Sequence, residues 1–209
     1  MNKSSSGLIN NPSMKKRRVY IVRHGQTKMN IDDRIRSWSD VPLDPTGFAQ
    51  AMKMGKELKG KKIDYIISSD LTRTLQTAQM LSLESGIPVV ATTMALRPLN
   101  VGKFTGESAA KVHPMIMKHA LEKPDVAFPE GESFDSFRYR CLLGTIALLN
   151  EYSDCTLCLV THHRNDRLFN AWIEAGCPDD FELDMEHFNN KGILPGTCDL
   201  LEFSSPLII

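Results

Sequence analysis

Two histidines stand in matching contexts, each where an apolar run ends. Val19-Tyr20-Ile21-Val22 leads into Arg23-His24-Gly25-Gln26-Thr27, and Cys155-Thr156-Leu157-Cys158-Leu159-Val160-Thr161 leads into His162-His163-Arg164. Short runs rich in β-branched and aromatic residues form buried strands, and a glycine after His24 lets the backbone turn at once. Open α/β sheets bind ligands at the carboxyl ends of their strands, so one sheet edge is expected to receive both histidines. A third contribution comes from Asp70-Leu71-Thr72-Arg73. There Arg73 falls in the first turn of a helix whose amino terminus adds a potential that favours anions. Two arginines and two histidines with no acid in these motifs suit a tetrahedral dianion, because guanidinium forks pair with phosphate oxygens. A neutral imidazole is a competent nucleophile toward phosphorus when nearby cations spread the developing charge.

A zinc site is the competing reading of His24, His162 and His163. No carboxylate or cysteine lies at ligand spacing beside them, and two arginines would repel a divalent cation. No metal and no cofactor are therefore expected. His113, His119 and His187 have no motif around them and read as surface or packing residues.

The elements that must position these groups alternate between helix and strand. Asp44-Pro45 is a capped start for a helix running to about Lys59, with Gly60 to end it. Ile63 to Ser68 reads as a strand. Ser69 or Asp70 then caps a helix that puts Leu71, Leu75, Ala78 and Leu81 on one face. Val89 to Thr92 is a short strand and Leu96 to Gly106 a loop. A long helix starts at Ser133, a helix spans Asn165 to Ala175, and Thr197 to Phe203 is a last strand. This alternation predicts an α/β three-layer sandwich with a mostly parallel central sheet flanked by helices.

Arg23-His24-Gly25-x-Thr27-x-x-Asn30 resembles the signature of the histidine phosphatase superfamily, also called phosphoglycerate-mutase-like. Ile66 to Ala78, with Arg73, is similar to the family's serine-rich strand end and following helix. Pro42 to Gly47 with Gln50-Ala51, and Pro129-Glu130-Gly131-Glu132-Ser133, are similar to two further segments, and His162 maps onto the second histidine. The resemblance runs from about Arg18 to Phe203. It implies that His24 attacks phosphorus and becomes a phosphohistidine, that Arg23, Arg73, Asn30 and His162 hold the transferring oxygens, and that water hydrolyses the intermediate. The expected activity is metal-independent hydrolysis of a small phosphomonoester. The alternatives are a phosphoglycerate-mutase-type phosphotransferase or a low-activity phosphate-binding regulatory protein.

One departure bears on the chemistry. Many members carry a glutamate general acid in a loop resembling Leu-Arg-Glu, where this chain reads Leu96-Arg97-Pro98. Proline cannot donate a proton, and general acid catalysis contributes about a hundred- to ten-thousandfold. Glu107 and Glu132 are the nearest carboxylates in sequence. A substrate with a good leaving group, such as an acyl phosphate, a phosphoramidate or a phenolic ester, needs no acid. Specificity is expected from Arg34 to Trp38, the acid-position loop and the stretch from His113 to Phe128, with Trp38, Phe104 and Met115 to Met117 serving either as an apolar wall or to pack the lid onto the core.

At 209 residues and 42% hydrophobic the chain suits one domain, placed at 15–209 behind a disordered tail over 1–14. Lys plus Arg and Asp plus Glu both number 25, so no global field recruits nucleic acid. Lys15-Lys16-Arg17-Arg18 is a basic flank of the first strand, and no run approaches the roughly twenty apolar residues of a membrane span. Five cysteines, an odd number, argue for a reducing compartment and a cytoplasmic location. The four apolar-rich residues Pro206 to Ile209 are where a sheet edge or a second copy, as in a homodimer, would pair.

Overall fold

The computed structural model describes residues 15–177, 183, 188 and 193–205. The expected tail over 1–14 and the carboxyl-terminal Pro206 to Ile209 lie outside them, as does His187. Five strands form one sheet in the order β3-β2-β4-β1-β5: β1 Lys15–Arg23, β2 Tyr65–Ser69, β3 Val89–Thr93, β4 Leu157–Thr161 and β5 Cys198–Ser205. Every pairing is parallel except that of β5, which runs antiparallel to β1. The helices are α1 Lys28–Ile31, α2 Pro45–Leu58, α3 Thr72–Ser85, α4 Ala109–Glu122, α5 Phe134–Glu151 and α6 His163–Glu174.

Successive strand side chains point to opposite faces, and that alternation builds two cores. Val19 and Ile21 of β1 and Leu157 and Leu159 of β4 pack with Val112 and Ile116 of α4, Phe137 and Cys141 of α5, and Phe169 and Trp172 of α6. Tyr20, Val22, Cys158 and Val160 face the other way, onto Met54 and Leu58 of α2 and Ala78 and Leu81 of α3. The result is a mixed α/β sandwich whose central sheet is covered by helices on both faces, as the alternation predicted.

Two helix starts fall where the sequence places them. The Asp44 carboxylate accepts the Gly47 N–H at 2.8 Å ahead of Pro45, and the Ser133 hydroxyl accepts the Ser136 N–H at 3.0 Å. The start of α3 differs. Its N-cap residue is Leu71, and the helix is capped from a distance by Asp40, whose carboxylate accepts the Thr72 N–H at 2.7 Å and the Thr72 hydroxyl at 2.9 Å. Ser69 and Asp70, the expected caps, are used elsewhere. Helix α4 is not among the elements expected from the sequence; it forms with Pro114, a residue disfavoured in helix interiors, inside it. Helix α6 begins at His163, two residues earlier than expected.

Cys155 lies in a turn ahead of β4 and Cys158 is buried within it. All five cysteines are free, and burial pushes the Cys158 thiol well above its ordinary value. Among the described residues no helix is long and apolar enough to cross a membrane.

Candidate active site

Neighbouring parallel strands bring the two histidines together. Arg23 of β1 pairs in register with Thr161 of β4, so His24 and His162 each follow one residue beyond the paired ends. The His24 N–H donates to the Thr161 carbonyl at 3.1 Å and closes that edge. The two rings meet edge to face with centroids 5.2 Å apart, and both side chains are buried. Gly25 is required by close packing rather than by a left-handed backbone: a Cβ there would collide with the Gly47 backbone at the start of α2. The loop after β1 therefore packs directly against the start of that helix.

Hydrogen bonds set the tautomers. His24 Nδ1 lies 2.7 Å from the Gly25 carbonyl, which can only accept, so Nδ1 carries the proton and Nε2 keeps its lone pair. His162 is turned the other way. Its Nε2 lies 3.1 Å from Ser69 Oγ at the end of β2, and its Nδ1 is buried with no partner among the described residues. Where the Ser69 hydroxyl donates to Nε2, the N–H of His162 sits on Nδ1. Burial, then the charge of Arg73, holds the pKa of each imidazole well below 6.5, so both are neutral at neutral pH.

Arg73 is 1% exposed. It is anchored by backbone carbonyls, Nη1 donating to Ser39 at 2.7 Å and Nη2 to Ser37 at 2.9 Å, while Nε has no partner. Burial, followed by repulsion from Arg36, lowers it to about 9. Arg23 occupies a different position from the one expected. Its Nη1 donates to the Ile193 carbonyl at 2.8 Å and lies 3.2 Å from His163 Nδ1, so it stands beside the cavity rather than on its wall. The His163 imidazole is pushed down to about 3, by burial first and Arg23 second, and its Nδ1 lies 3.2 Å from both Arg23 Nη1 and the Ile193 carbonyl. Asp166, whose Oδ2 accepts the Ile193 N–H at 3.1 Å, fixes the carbonyl that holds Arg23.

Asn30 is also placed differently. Its Oδ1 accepts both the Thr27 N–H at 3.0 Å and the Thr27 hydroxyl at 2.8 Å, a reciprocal cap that ties down the loop after His24. It does not line the cavity.

The cavity, of about 140 Å³, is walled at its base by His24, His162 and Arg73. Farther out stand Arg34 and Arg36 from the loop before α2, His113 from α4 and Arg164 from α6. Pro98 and Leu99 supply apolar surface together with Ile35 and Ala109. The apolar wall expected from Trp38, Phe104 and Met115 to Met117 does not form. Trp38 donates its indole N–H to the Pro98 carbonyl at 2.7 Å and carries the Arg97 guanidinium over its ring at 4.7 Å; Phe104 packs edge on against Phe128; and Met115 is exposed.

No aspartate or glutamate lines the cavity among the described residues. Glu132 is engaged below the acid-position loop: Oε1 accepts the Asn100 N–H at 2.8 Å and Arg140 Nη2 at 2.7 Å. Glu107 is exposed and away from the cavity wall. Asp70 grips Arg97 through two bonds of 2.7 Å and so pins the residue before Pro98. Among the described residues no three His, Cys, Asp or Glu side chains stand close enough together to hold a metal ion.

Arg36 and His113 line the cavity and fall in two of the segments expected to set specificity. Two positions beside the site escaped the sequence reading as site residues: Ser69, which follows a strand run, and Asp166, which lies four residues after His162.

Val19 to Ile193 match the family described as the histidine phosphatase superfamily, branch 1. A protein of Proteus mirabilis named "Probable phosphoglycerate mutase GpmB" is 29% identical over 195 residues, covering 74% of this chain and 89% of its own. Phosphoglycerate mutase-like protein 4 of Arabidopsis thaliana is 32% identical over 150 residues, covering 69% of this chain and 65% of its own. In structure, the mycobacterial glucosyl-3-phosphoglycerate phosphatase superposes with a TM-score of 0.72 at 24% identity, covering 90% of this chain and 91% of that one. Mycobacterial hydrolase 1 gives 0.73 at 23%, with the same coverage. The chain belongs to the histidine phosphatase superfamily, branch 1.

Proposed function

We propose that the protein is a metal-independent phosphatase that hydrolyses a small phosphomonoester through a phosphohistidine on His24. The observation that carries this reading is the His24 ring itself, its proton committed to the Gly25 carbonyl and its Nε2 lone pair free beside the buried guanidinium of Arg73. In the first step the Nε2 lone pair forms the N–P bond while the P–O ester bond breaks and the alkoxide or phenoxide departs. Arg73 and the His162 Nδ1–H face the phosphoryl oxygens, where donors fixed in advance stabilise the transition state most. Arg23 adds charge from beside the cavity and holds His163 in place. In the second step water attacks phosphorus, the N–P bond breaks, and phosphate and His24 are released.

Hydrolysis is favoured over transfer because the cavity wall includes exposed Arg34 and half-buried Arg36 and Arg164, so water reaches the phosphohistidine. Relatives named as a mutase and as a phosphatase both support phosphoryl chemistry at such a site. That no carboxylate lines the cavity among the described residues favours substrates whose leaving group departs without a proton.

The test is turnover of p-nitrophenyl phosphate in the presence of a chelator, with His24→Ala alongside. Turnover by the wild type, lost in the variant, is expected. Inactivation by the chelator, or retained activity in His24→Ala, overturns the mechanism. Phosphate binding without turnover of any ester would mark a phosphate-binding regulatory protein, the reading that Pro98 favours.

A further inference from the structure

The Arg73 guanidinium is oriented by the two carbonyls that flank Trp38. Nη2 donates to Ser37 at 2.9 Å and Nη1 to Ser39 at 2.7 Å, so the two ends of the fork straddle the residue between them. Those carbonyls belong to a tight turn, closed by the Ser39 N–H donating to the Arg36 carbonyl at 2.9 Å. Within it Ser37 is left-handed, with a φ of 46°. That conformation costs free energy in any residue with a Cβ and persists only where surrounding contacts impose it.

The Ser37 side chain is one such contact. It is buried, and its hydroxyl oxygen accepts the Val101 N–H at 3.0 Å, a bond that a glycine, though easier in backbone, could not make. Trp38 supplies another. Its indole N–H donates to the Pro98 carbonyl at 2.7 Å, and its ring carries two guanidinium groups, Arg97 at 4.7 Å and Arg140 at 5.5 Å from the centroid. Both cations are themselves fixed, Arg97 by two bonds to Asp70, and Arg140 by Glu132 and the Met94 carbonyl. A cation over an aromatic face is attracted to it, and with the cations immobile it is the ring that is held. Two residues on, Asp40 caps α3, so one short stretch sets both the start of the helix that bears Arg73 and the far end of its side chain.

We infer that Trp38 is a positioning residue for Arg73: it holds the Arg36–Ser39 turn in its strained form and thereby aims the guanidinium at the phosphoryl group. This rests on the reading of the His24 end as the phosphoryl site. Trp38 does not line the cavity, so its influence on a bound phosphate runs through Arg73. Donors aimed in advance lose much of their effect when displaced by about 1 Å.

The experiment is calorimetric titration of the full chain with inorganic phosphate, in the wild type, Trp38→Leu, Arg73→Lys and the double variant. Lysine keeps the charge but has no fork for two carbonyls to orient. Trp38→Leu should weaken phosphate binding about tenfold in the wild type and less than about twofold in the Arg73→Lys background, and kcat/KM for p-nitrophenyl phosphate should follow the same pattern. A similar loss in both backgrounds, or no loss in the wild type, overturns the proposal. Nitrogen-15 spectra read the guanidinium directly. The Arg73 Nη signals, assigned by their disappearance in Arg73→Lys, should be split by the hindered rotation of a group held at both ends and should merge in Trp38→Leu. Signals that stay split overturn the proposal even where Arg73→Lys binds too little phosphate to titrate. Where Trp38→Leu does not fold, Trp38→Phe, which keeps a ring under Arg97 and removes the N–H, gives the same reading with a smaller loss. Binding and spectra involve no turnover, so a protein that binds phosphate and hydrolyses no ester would refute the phosphatase reading and still decide the role of Trp38.

Discussion

The two ends of the cavity are built on different principles. At the base, His24, His162 and Arg73 are buried, and each is fixed by the backbone or by a buried hydroxyl: the Gly25 carbonyl, Ser69, and the Ser37 and Ser39 carbonyls. At the mouth, Arg34, Arg36, His113 and Arg164 are more exposed and less tied, and the residue at the acid position is Pro98. The base is organised in advance around one tetrahedral group, whereas the mouth supplies charge and, among the described residues, no carboxylate to deliver a proton. Such a division separates the power to attack phosphorus from the power to assist the leaving group, and the two should fail independently.

Breaking the base should have the largest effect. His24→Ala is expected to lower turnover of p-nitrophenyl phosphate by more than about a thousandfold, since it removes the nitrogen proposed to attack phosphorus. Steady-state rates on folded variant check this. The mouth is probed by the leaving group. Turnover of an alkyl phosphate should trail that of an aryl phosphate by about a hundredfold or more, the worth of a missing general acid. Comparable rates on the two esters would show that some group at the mouth donates a proton after all.

Smaller changes sharpen the contrast. Ser69→Ala removes the hydroxyl that pairs with His162 Nε2 and should reduce kcat about three- to tenfold, the value of one neutral hydrogen bond. Glu132→Gln should leave the aryl-to-alkyl ratio where it is and instead lower the melting temperature, because Glu132 anchors Asn100 and Arg140 beneath the acid-position loop. A loss of about 1–3 kcal/mol in denaturant unfolding is expected for that charged contact. A shifted ratio in this variant would instead give Glu132 a role in proton transfer.

Acid should act on the base of the site through stability. His24, His162 and His163 all have folded pKa values below the unfolded 6.5, so below about pH 6.5 the unfolded chain takes up protons that the folded one refuses. Stability then falls with pH, by at most about 1.4 kcal/mol per pH unit for each group. Asp166 opposes this. Burial raises it to about 6, so its contribution is complete below 3.8 and is lost as pH rises through 6. With three histidines against one aspartate, unfolding free energy should decline between pH 6.5 and 5; a flat profile there would contradict the neutral, buried imidazoles.

The same contrast separates what could be read in the sequence from what could not. Strand runs, helix caps at Asp44 and Ser133, and the motifs around His24, Arg73 and His162 are local patterns, and the fold and the base of the site follow from them. Partners joined across long separations left no local trace. Ser69 reads as a helix cap until β2 is seen to end beside His162, and Asp70 reads likewise until Arg97 turns back onto it. Asn30 belongs to a recognisable motif, yet its oxygen is consumed in capping its own loop. Helix α4, with Pro114 inside it, has no local signal, although the stretch expected to set specificity begins at His113, which does stand at the mouth.

The central claim is a covalent bond between His24 and phosphorus. Wild-type protein mixed with an aryl phosphate and quenched in base within the first turnover, conditions under which phosphohistidine survives, can be digested and its peptides weighed. A phosphoryl group on the peptide that contains His24, absent when the substrate is omitted, is the predicted result. Turnover that proceeds with His24 unmodified, or a phosphoryl group found on another residue, would contradict the account.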